Sequence, residues 1–290
     1  MDRKSAALPP ELLPMQPGLE ILHLAALVAE QEALENDSLD AGLEDLDTYT
    51  LHGVAPSEMW PELARGLMSS APSVMIRSLR DCGALDIVLP EVDALFGVPQ
   101  IADTPAEVDI GEHLLAALDE AACCKAPLEA RFALLTMNVG KSDSPREHLP
   151  VHYRHSERGQ LRIEAISARF AVPSPCRELA LLALAECERI HRVSEVRAGP
   201  VAALLDRAGA FDNPARFKLL MTVCSCDYRA YGPRSGEAYP KAALLATALK
   251  VCAERDEAGF KGEDVEDVQA ARAVAIAQAF GSQRWSSEQT

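Results

Sequence analysis

Two aspartates have a spacing that could support metal-ion chemistry. Asp45 and Asp47 form an Asp-x-Asp pair, the pattern of carboxylates that share two metal ions. They fall in an acidic helical pattern, however, and no Gly-rich loop precedes them. Two-metal transfer needs both carboxylates fixed on a rigid element beside bound phosphates, so we do not expect this pair to be a metal site.

The cysteines give no sign of a zinc or redox motif. Eight are present, including the adjacent pair Cys123–Cys124 and the near pair Cys224 and Cys226, but no CxxC spacing occurs. Free cysteines in an apolar helical pattern behave as small hydrophobic residues. The N-terminus lacks the apolar core of a secretory signal, and no uninterrupted apolar run reaches the roughly 18 residues of a membrane span. We therefore expect a reduced, cytoplasmic protein without a membrane segment.

The element most able to position functional side chains is the central stretch Arg131–Lys141, which reads RFALLTMNVGK. Phe132, Leu135 and Val139 recur at helical spacing, and Gly140 suits the end of a helix. This stretch is predicted to be an apolar helix that ends in a small polar turn.

Helical patterns also dominate the rest of the chain. Short alternating runs near Ile87 and Val151 are too brief to build a sheet, and no fixed-period repeat occurs. A turn-rich linker is predicted over Leu89–Pro105, with a capping box at Thr104 to Glu107. The predicted fold class is all-α, an irregular multi-helix body. The other predicted helices span residues 19–29, 57–68, 71–85, 111–122, 158–170, 174–191, 214–228, 239–253 and 263–280.

The distribution of charge restricts where a phosphate-binding surface could lie. The net charge is −16, and residues 5–64 hold twelve Asp or Glu but no Lys or Arg. Residues 141–197 hold ten basic and eight acidic side chains. A nucleic-acid surface needs Lys and Arg to replace counterions at phosphates, so it is expected in the second range rather than the first. A solvated surface of mixed charge explains the same residues.

Several segments, taken in order, resemble the C-terminal part of bacterial CCA-adding enzymes, the tRNA nucleotidyltransferases that carry an extra HD domain. The match covers roughly residues 55 to 280. The most specific segment is RSLRDCGALDIVLPEVDALFGVPQ, at Arg77–Gln100. The others are VDIGEHLLAAL (Val108–Leu118), RFALLTMNVGK, HYRHSERG (His152–Gly159), CDYRA (Cys226–Ala230) and AGFKG (Ala258–Gly262).

The resemblance implies a division of the chain into three regions. Residues 1–90 would be degenerate neck and body helices, and residues 91–255 a degenerate HD-domain-like helical core. Residues 256–290 would be a tail helix with a frayed C-terminus. The family's head binds two metals and holds a Gly-rich motif, its neck selects CTP or ATP through an Asp and an Arg, and its body and tail grip tRNA.

The residues needed for nucleotide transfer are altered or not found. No Gly-Gly-x-x-Arg-Asp segment occurs, and no strand pair precedes the neck-like residues 16–29. The template arginine of the family falls on Glu20, and two further arginines fall on His23 and Ala26. A carboxylate lacks the donors of a guanidinium and repels a triphosphate. We therefore expect that this chain alone does not select or polymerise nucleotides.

The HD-like region has lost its defining pair of metal ligands by the same resemblance. His113 matches the first His of the HD pattern and Asp227 the distant Asp. Met137 and Asn138 stand where His and Asp are expected. A divalent metal for phosphoester hydrolysis prefers imidazole and carboxylate, whereas Met offers a soft thioether and Asn a neutral oxygen. No catalytic residue and no cofactor are therefore expected.

A residual weak site remains an alternative. His155 matches a histidine in the family's HxxxG turn, so His113, His155 and Asp227 could hold Mg²⁺, Mn²⁺ or Ni²⁺ if the HD site survives. His191 matches a further histidine, and Cys187 stands where a neighbouring one is expected. A purely structural explanation is also open: His113 as a hydrogen-bonded residue at the edge of the core, Asp227 paired with Arg229, and Met137 as core filler.

Four functions follow from these observations. The first is a non-catalytic helical protein that binds RNA, with tRNA as the expected ligand, or a protein partner. The acidic residues 5–64 would face away from RNA or bind a basic partner. The second is one half of a split tRNA nucleotidyltransferase, the third a phosphohydrolase with an altered metal shell, and the fourth a degraded sequence without a selected role. The expected RNA contacts are Lys141, Arg154, Arg158 and Arg162.

Overall fold

The protein is almost entirely helical, as the sequence predicts. The computed structural model describes residues 16–31, 46–102, 105–194, 197–257 and 265–287. Helices make up 74% of it, which confirms the all-α class. No helix within these ranges is long and apolar enough to cross a membrane. The helices are α1 Pro17–Gln31, α2 Pro56–Leu67, α3 Pro72–Asp81, α4 Ala84–Val88, α5 Pro90–Asp93, α6 Ile110–Cys123, α7 Leu128–Thr136, α8 His155–Arg169, α9 Ser174–Arg192, α10 Ala198–Arg207, α11 Pro214–Arg229, α12 Pro240–Glu257 and α13 Val265–Ser287.

The helix boundaries follow from local chemistry. Proline begins α2, α3, α5 and α11, where its missing N–H costs no intrahelical hydrogen bond. Asp109 and Asn213 cap α6 and α11 by accepting a hydrogen bond from a backbone N–H of the first turn. The helix predicted over residues 71–85 is divided in two, because Gly83 adopts a left-handed φ of 76° between α3 and α4.

A small sheet was not predicted. Strand β1 (Pro99–Ile101) pairs antiparallel with β2 (Glu107–Asp109) inside the stretch expected to be a linker, and α5 also forms there. The pairing continues beyond the strands, since Ala102 N–H donates to Ala106 C=O at 2.8 Å. Three-residue strands give too short an alternation to detect from sequence. The predicted capping box lies partly at Thr104, outside the described residues.

Helix α7 lies at the centre of the fold. Every side chain from Ala130 to Thr136 is buried, and α7 packs most extensively against α9. Helices α6 and α11 also contact it, and all four helices surround one continuous apolar core. Two 3-10 turns, Val139–Lys141 and Arg146–His148, follow α7 and lead into α8. The central stretch therefore ends in a polar turn, as expected.

The N-terminal helices share this core. Helix α1 packs on α2 and α3, and α3 packs on α6. Arg131 on α7 is buried and donates hydrogen bonds to three backbone carbonyls, those of Leu67 at 2.7 Å, Ser69 at 2.8 Å and Ala126 at 2.9 Å. This side chain ties the end of α2 to the start of α7.

Candidate functional site

A cavity of about 700 Å³ lies between α9, the end of α11 and the segment that follows α7. Met137, Asn138, His155, His191 and Asp227 all line it. These residues come from separate parts of the chain, so the fold brings together most positions that the HD-like pattern singles out. Lys141, expected to contact RNA, lines the cavity as well.

Asp227 is the buried centre of a hydrogen-bonded chain. One of its oxygens contacts His113 Nε2 on α6 at 2.9 Å, and the other contacts His191 Nε2 on α9 at 2.9 Å. His191 Nδ1 lies 2.8 Å from the hydroxyl of Tyr239. The alternative pairing of Asp227 with Arg229 is not observed, since Arg229 Nε donates to Glu237 C=O. Both carboxylate oxygens of Asp227 are therefore occupied by imidazoles.

These contacts set the protonation of the cluster. Burial alone would raise the pKa of Asp227, but the charges and hydrogen bonds of His113 and His191 outweigh it and lower that pKa far below its usual range. Burial also opposes a charged His191, yet Cys187 and Asp227 outweigh it and raise the pKa of His191. Both directions of shift favour an ionic contact between His191 and Asp227.

The positions that should carry the HD pair do not suit a hard metal ion. Met137 is the C-cap of α7, where its N–H donates to Ala133 C=O at 2.8 Å, and Asn138 follows it. Both side chains are buried and line the cavity. A thioether and a neutral amide offer no negative charge, so this set is a poor match for Mg²⁺ or Mn²⁺.

His155 belongs to a second polar group in the cavity wall. Its Nε2 lies 3.3 Å from Glu188, which also accepts from Lys141 Nζ at 3.2 Å. Lys141 also donates to Gln100 at 3.1 Å. The hydrogen bond with His155 and the charge of Lys141 both lower the pKa of Glu188 and outweigh the opposing effect of burial. Of the three residues expected to hold a metal, His113 and Asp227 are in contact, and His155 instead contacts Glu188.

The other expected RNA contacts surround the turn after α7. Arg158 and Arg162 each pair with Asp143 at 2.9 Å and also donate to backbone carbonyls of residues 139–140. Arg154 pairs with Glu157 and is the most exposed, at 76% of its side chain. Arg158 and Arg162 thus stabilise the turn, and Arg154 is the most accessible to a ligand.

The neck-like positions are ordinary helix residues. Glu20 is exposed on α1, and Ala26 is buried. His23 Nδ1 contacts Arg65 at 3.0 Å and Glu62 at 3.3 Å. Asp47 is not in an acidic helix but caps a 3-10 turn by accepting from Tyr49 N–H, while Asp45 lies outside the described residues. Much of the acidic range 5–64 is also outside them, so its partner stays a prediction.

A cluster with metal-ligand geometry was not predicted as a set. In the described part of the chain, Cys187, His191 and Asp227 present Sγ, Nε2 and a carboxylate oxygen that lie within 4.8 Å of one another. Sγ of Cys187 is 3.3 Å from His191 Nε2. The i,i+4 spacing of Cys187 and His191 on one helix face was the available signal. Asp227 lies on α11, and only the packing of α11 against α9 brings it to the pair on α9. The sequence pattern of α9 therefore could not reveal the third residue.

The sequence is similar to several curated proteins called multifunctional CCA proteins. That of Cupriavidus necator is 40% identical over 266 residues, covering 89% of this chain and 63% of that protein. That of Acidovorax sp. (strain JS42) is 41% identical over 234 residues, covering 77% and 55% respectively. The one from Paraburkholderia phymatum is 40% identical over 242 residues, covering 83% and 56%. The chain thus spans 55–63% of the length of these three relatives. No protein-family model matches the sequence.

Proposed function

Because this chain is a relative of the multifunctional CCA proteins and matches their C-terminal part, we propose that it is a non-catalytic RNA-binding helical protein with tRNA as its ligand. The proposal concerns the cavity next to α9 and the basic side chains around it. Catalysis and binding are separable there, because hydrolysis needs a metal-activated hydroxide whereas binding needs only complementary charge and shape.

One observation carries the proposal: a cavity is present, and Met137 and Asn138 line it at the positions where the metal-binding pair is expected. Asp227 is the acidic residue of the HD pattern that remains, and both of its oxygens are engaged by imidazoles. A site of this composition can accommodate a phosphate-bearing ligand, but it lacks the anionic ligands that would hold a hard metal against a scissile bond.

The charge of the cavity wall supports an anionic ligand. Among its described lining residues, four permanently basic side chains stand against two acidic ones, although the whole chain is strongly acidic. The basic residues are Lys141, Arg192, Arg234 and Lys241, and the acidic residues are Glu188 and Asp227. A concave surface with excess positive charge concentrates phosphates locally. Arg154, Arg158 and Arg162, close to the same cavity, would extend this surface along the RNA backbone.

Binding of bulk tRNA tests the proposal directly. Mobility-shift titrations at increasing salt should show an affinity that falls steeply and linearly on a log–log plot, because each contacted phosphate releases a counterion. Replacing both Arg192 and Lys241 by Glu should weaken binding and reduce that slope by roughly two. Arg77→Glu is the matched control, since Arg77 is an exposed arginine paired with Glu112 elsewhere on the surface.

The contrary outcomes are specific. Absence of a shift at low salt overturns the proposal, as does a shift that Arg192→Glu with Lys241→Glu leaves unchanged but Arg77→Glu abolishes. Incorporation of labelled CMP or AMP into tRNA when a nucleotidyltransferase head protein is added would support the split-enzyme alternative instead.

A phosphohydrolase with an altered metal shell is the second candidate. The direct contact of His113 with Asp227 favours it, because two residues of the HD pattern remain together. Metal-dependent release of phosphate from 2′-monophosphates, or opening of 2′,3′-cyclic phosphates, would support this candidate. Activity that persists in the presence of a strong chelator would exclude a metal-dependent hydrolase.

A further inference from the structure

We infer that Cys187, His191 and Asp227 form a binding site for a single thiophilic divalent cation, with Zn²⁺ as the fitting ion. This inference goes beyond RNA binding. It shares Asp227 with the HD pattern, but it takes no ligand from Met137 or Asn138, and it depends on the sulfur of Cys187, which stands where the resemblance expects a histidine. The ion would bridge α9, which carries Cys187 and His191, and α11, which carries Asp227. Met137 and Asn138 follow α7 and would not be ligands.

The spacing of the three ligand atoms fits tetrahedral zinc. With Zn–S near 2.3 Å and Zn–N and Zn–O near 2.0–2.2 Å, neighbouring ligand atoms of a tetrahedron lie about 3.4–3.6 Å apart. In the structure Sγ of Cys187 lies 3.3 Å from Nε2 of His191, which lies 2.9 Å from Oδ2 of Asp227. The ion would occupy the place of the proton shared by His191 and Asp227. Nε2 and Oδ2 of that pair must separate by a few tenths of an ångström, and Sγ of Cys187 lies within 4.8 Å of the Asp227 ligand oxygen.

The second ligand shell is already in place. His191 can donate its Nδ1 proton to the Tyr239 hydroxyl at 2.8 Å, which leaves Nε2 free to bind the ion. Asp227 uses its other oxygen to accept from His113 at 2.9 Å, which leaves Oδ2 for the ion. Outer contacts of this kind hold a metal ligand in one tautomer and orientation.

Charge and access also suit this ion. A thiolate, a carboxylate and a neutral imidazole together balance a divalent cation, which a buried site requires. The cation itself drives deprotonation of the thiol. All three residues line the cavity, so the fourth coordination position faces open space that water or a ligand can reach. A sulfur and a nitrogen ligand favour zinc over Mg²⁺ or Mn²⁺.

Cobalt substitution tests the site without relying on any activity. Surface thiols are first removed by Cys123→Ser and Cys124→Ser in the full-length chain, since both residues are exposed. Metal-free protein titrated with Co²⁺ should then develop a thiolate-to-cobalt charge-transfer band that saturates at one ion per chain. Zn²⁺ should abolish the band, and a large excess of Mg²⁺ should not.

Four variants in the same background test the roles of Cys187 and Tyr239. Cys187→Ala should lose the band, and Cys187→His should bind Zn²⁺ while losing the band. Cys176→Ala is the matched control and should keep it, because Cys176 is another buried cysteine on α9 but lies outside the cluster. Tyr239→Phe should weaken Zn²⁺ affinity, measured by competition with a chromogenic chelator, by roughly tenfold or more.

Circular dichroism confirms that each variant is folded, which separates lost binding from lost structure. A cobalt spectrum without a charge-transfer band in the parent overturns the inference. A band that persists in Cys187→Ala, or Zn²⁺ affinity equal in the parent and Cys187→Ala, also overturns it.

Discussion

At the scale of single residues, Met137 and Asn138 show that a side chain can suit the packing of a site without suiting a metal ion. Both are buried in the wall of the cavity that Asp227 also lines, and two imidazoles hydrogen-bond that carboxylate. Their side chains fill space in a site whose surrounding helices are intact. We therefore expect the ability to bind a hard metal to depend on these two side chains rather than on the scaffold.

We expect the double substitution Met137→His with Asn138→Asp to create Mn²⁺ binding that the parent lacks. It restores an imidazole and a carboxylate beside His113 and Asp227, the ligand types that Mn²⁺ prefers. Electron paramagnetic resonance of free Mn²⁺ measures the bound fraction. The same double substitution combined with Asp227→Asn is the control and should bind far less. If the double variant gains no binding, the alignment of these positions with the HD pair is wrong.

Arg131 illustrates a buried charge that serves the fold. Its three hydrogen bonds to carbonyls would all be lost in Arg131→Met, which keeps much of the aliphatic volume. Each buried carbonyl left without a hydrogen bond costs about 1–3 kcal/mol. Because three carbonyls lose their donor, we expect the free energy of unfolding to fall by about 3 kcal/mol or more. Urea denaturation measures it. Arg77→Met, at an exposed arginine, should change stability by less than about 1 kcal/mol.

At the scale of elements, the turn after α7 is built on the close approach of two glycines. A Cβ added at Gly140 would lie 2.5 Å from the backbone N of Gly159 on α8, and closer still to the carbonyl oxygen of His155. Both neighbours are backbone atoms and cannot rotate away. The glycine in NVGK is therefore explained by the close approach of this turn to the backbone of α8, whereas a Cβ added at Gly159 would meet mainly the side chain of Leu184, at 2.9 Å.

Gly140→Ala should destabilise the protein by about 3 kcal/mol or more, because the turn and α8 must move apart. Thermal or urea denaturation followed by circular dichroism gives the value. Gly199→Ala provides the matched control, since nothing lies within 4 Å of a Cβ added at that helical position. Equal stability of the two variants would contradict the close-packing explanation.

The contact between α1 and α2 has a pH dependence with a definite sign. Arg65 donates to both oxygens of Glu30, at 2.8 and 2.5 Å, and this hydrogen bond lowers the pKa of Glu30 from its ordinary value of 4.5. The stabilisation is therefore complete above about pH 4.5 and is lost as the pH falls through the lowered pKa. Because both side chains are about one-third exposed, the contribution should not exceed about 1 kcal/mol.

Urea unfolding of the parent and Glu30→Gln at about pH 7 and about pH 3.5 measures this contribution. The difference between the two proteins should shrink at the lower pH. Glu254→Gln should show a small difference at both values, since Glu254 contacts Lys250 at 3.8 Å and is largely exposed. A larger effect of Glu30→Gln at low pH would contradict the assigned sign.

The sequence predicted long elements well and short or tertiary features poorly. The helices expected at 57–68, 111–122 and 174–191 begin and end within one residue of those observed, because proline in the first turn of α2 and α9, the Asp109 cap of α6 and long periodic patterns define them. Helix α10 was not predicted, and Gly199 and Pro200 in its first turn form a pair that is typical of turns. The contact of Asp227 with two imidazoles also depends on packing between α6, α9 and α11, which local patterns do not contain.

At the scale of the whole molecule, the apolar core is continuous across the boundary predicted near residue 90. Buried residues from α1 to α11 belong to one cluster, and α3 packs directly on α6. Trp60 on α2 stacks edge-on against Phe132 on α7, with ring centroids 5.7 Å apart. Arg131 bonds carbonyls on the α2 side of the same junction. The packing therefore couples the neck-like helices to the HD-like ones.

This coupling predicts a single unfolding transition for α1 to α11. In a Trp285→Phe background, Trp60 is the only tryptophan and reports on the junction by fluorescence, while far-UV circular dichroism reports on all helices. The two urea transitions should coincide, because a cooperative unit has no populated intermediate. Arg131→Met should move both midpoints together to lower urea. A fluorescence transition that clearly precedes the loss of helix would instead indicate that residues 1–90 unfold as a separate domain, as the sequence boundary implies.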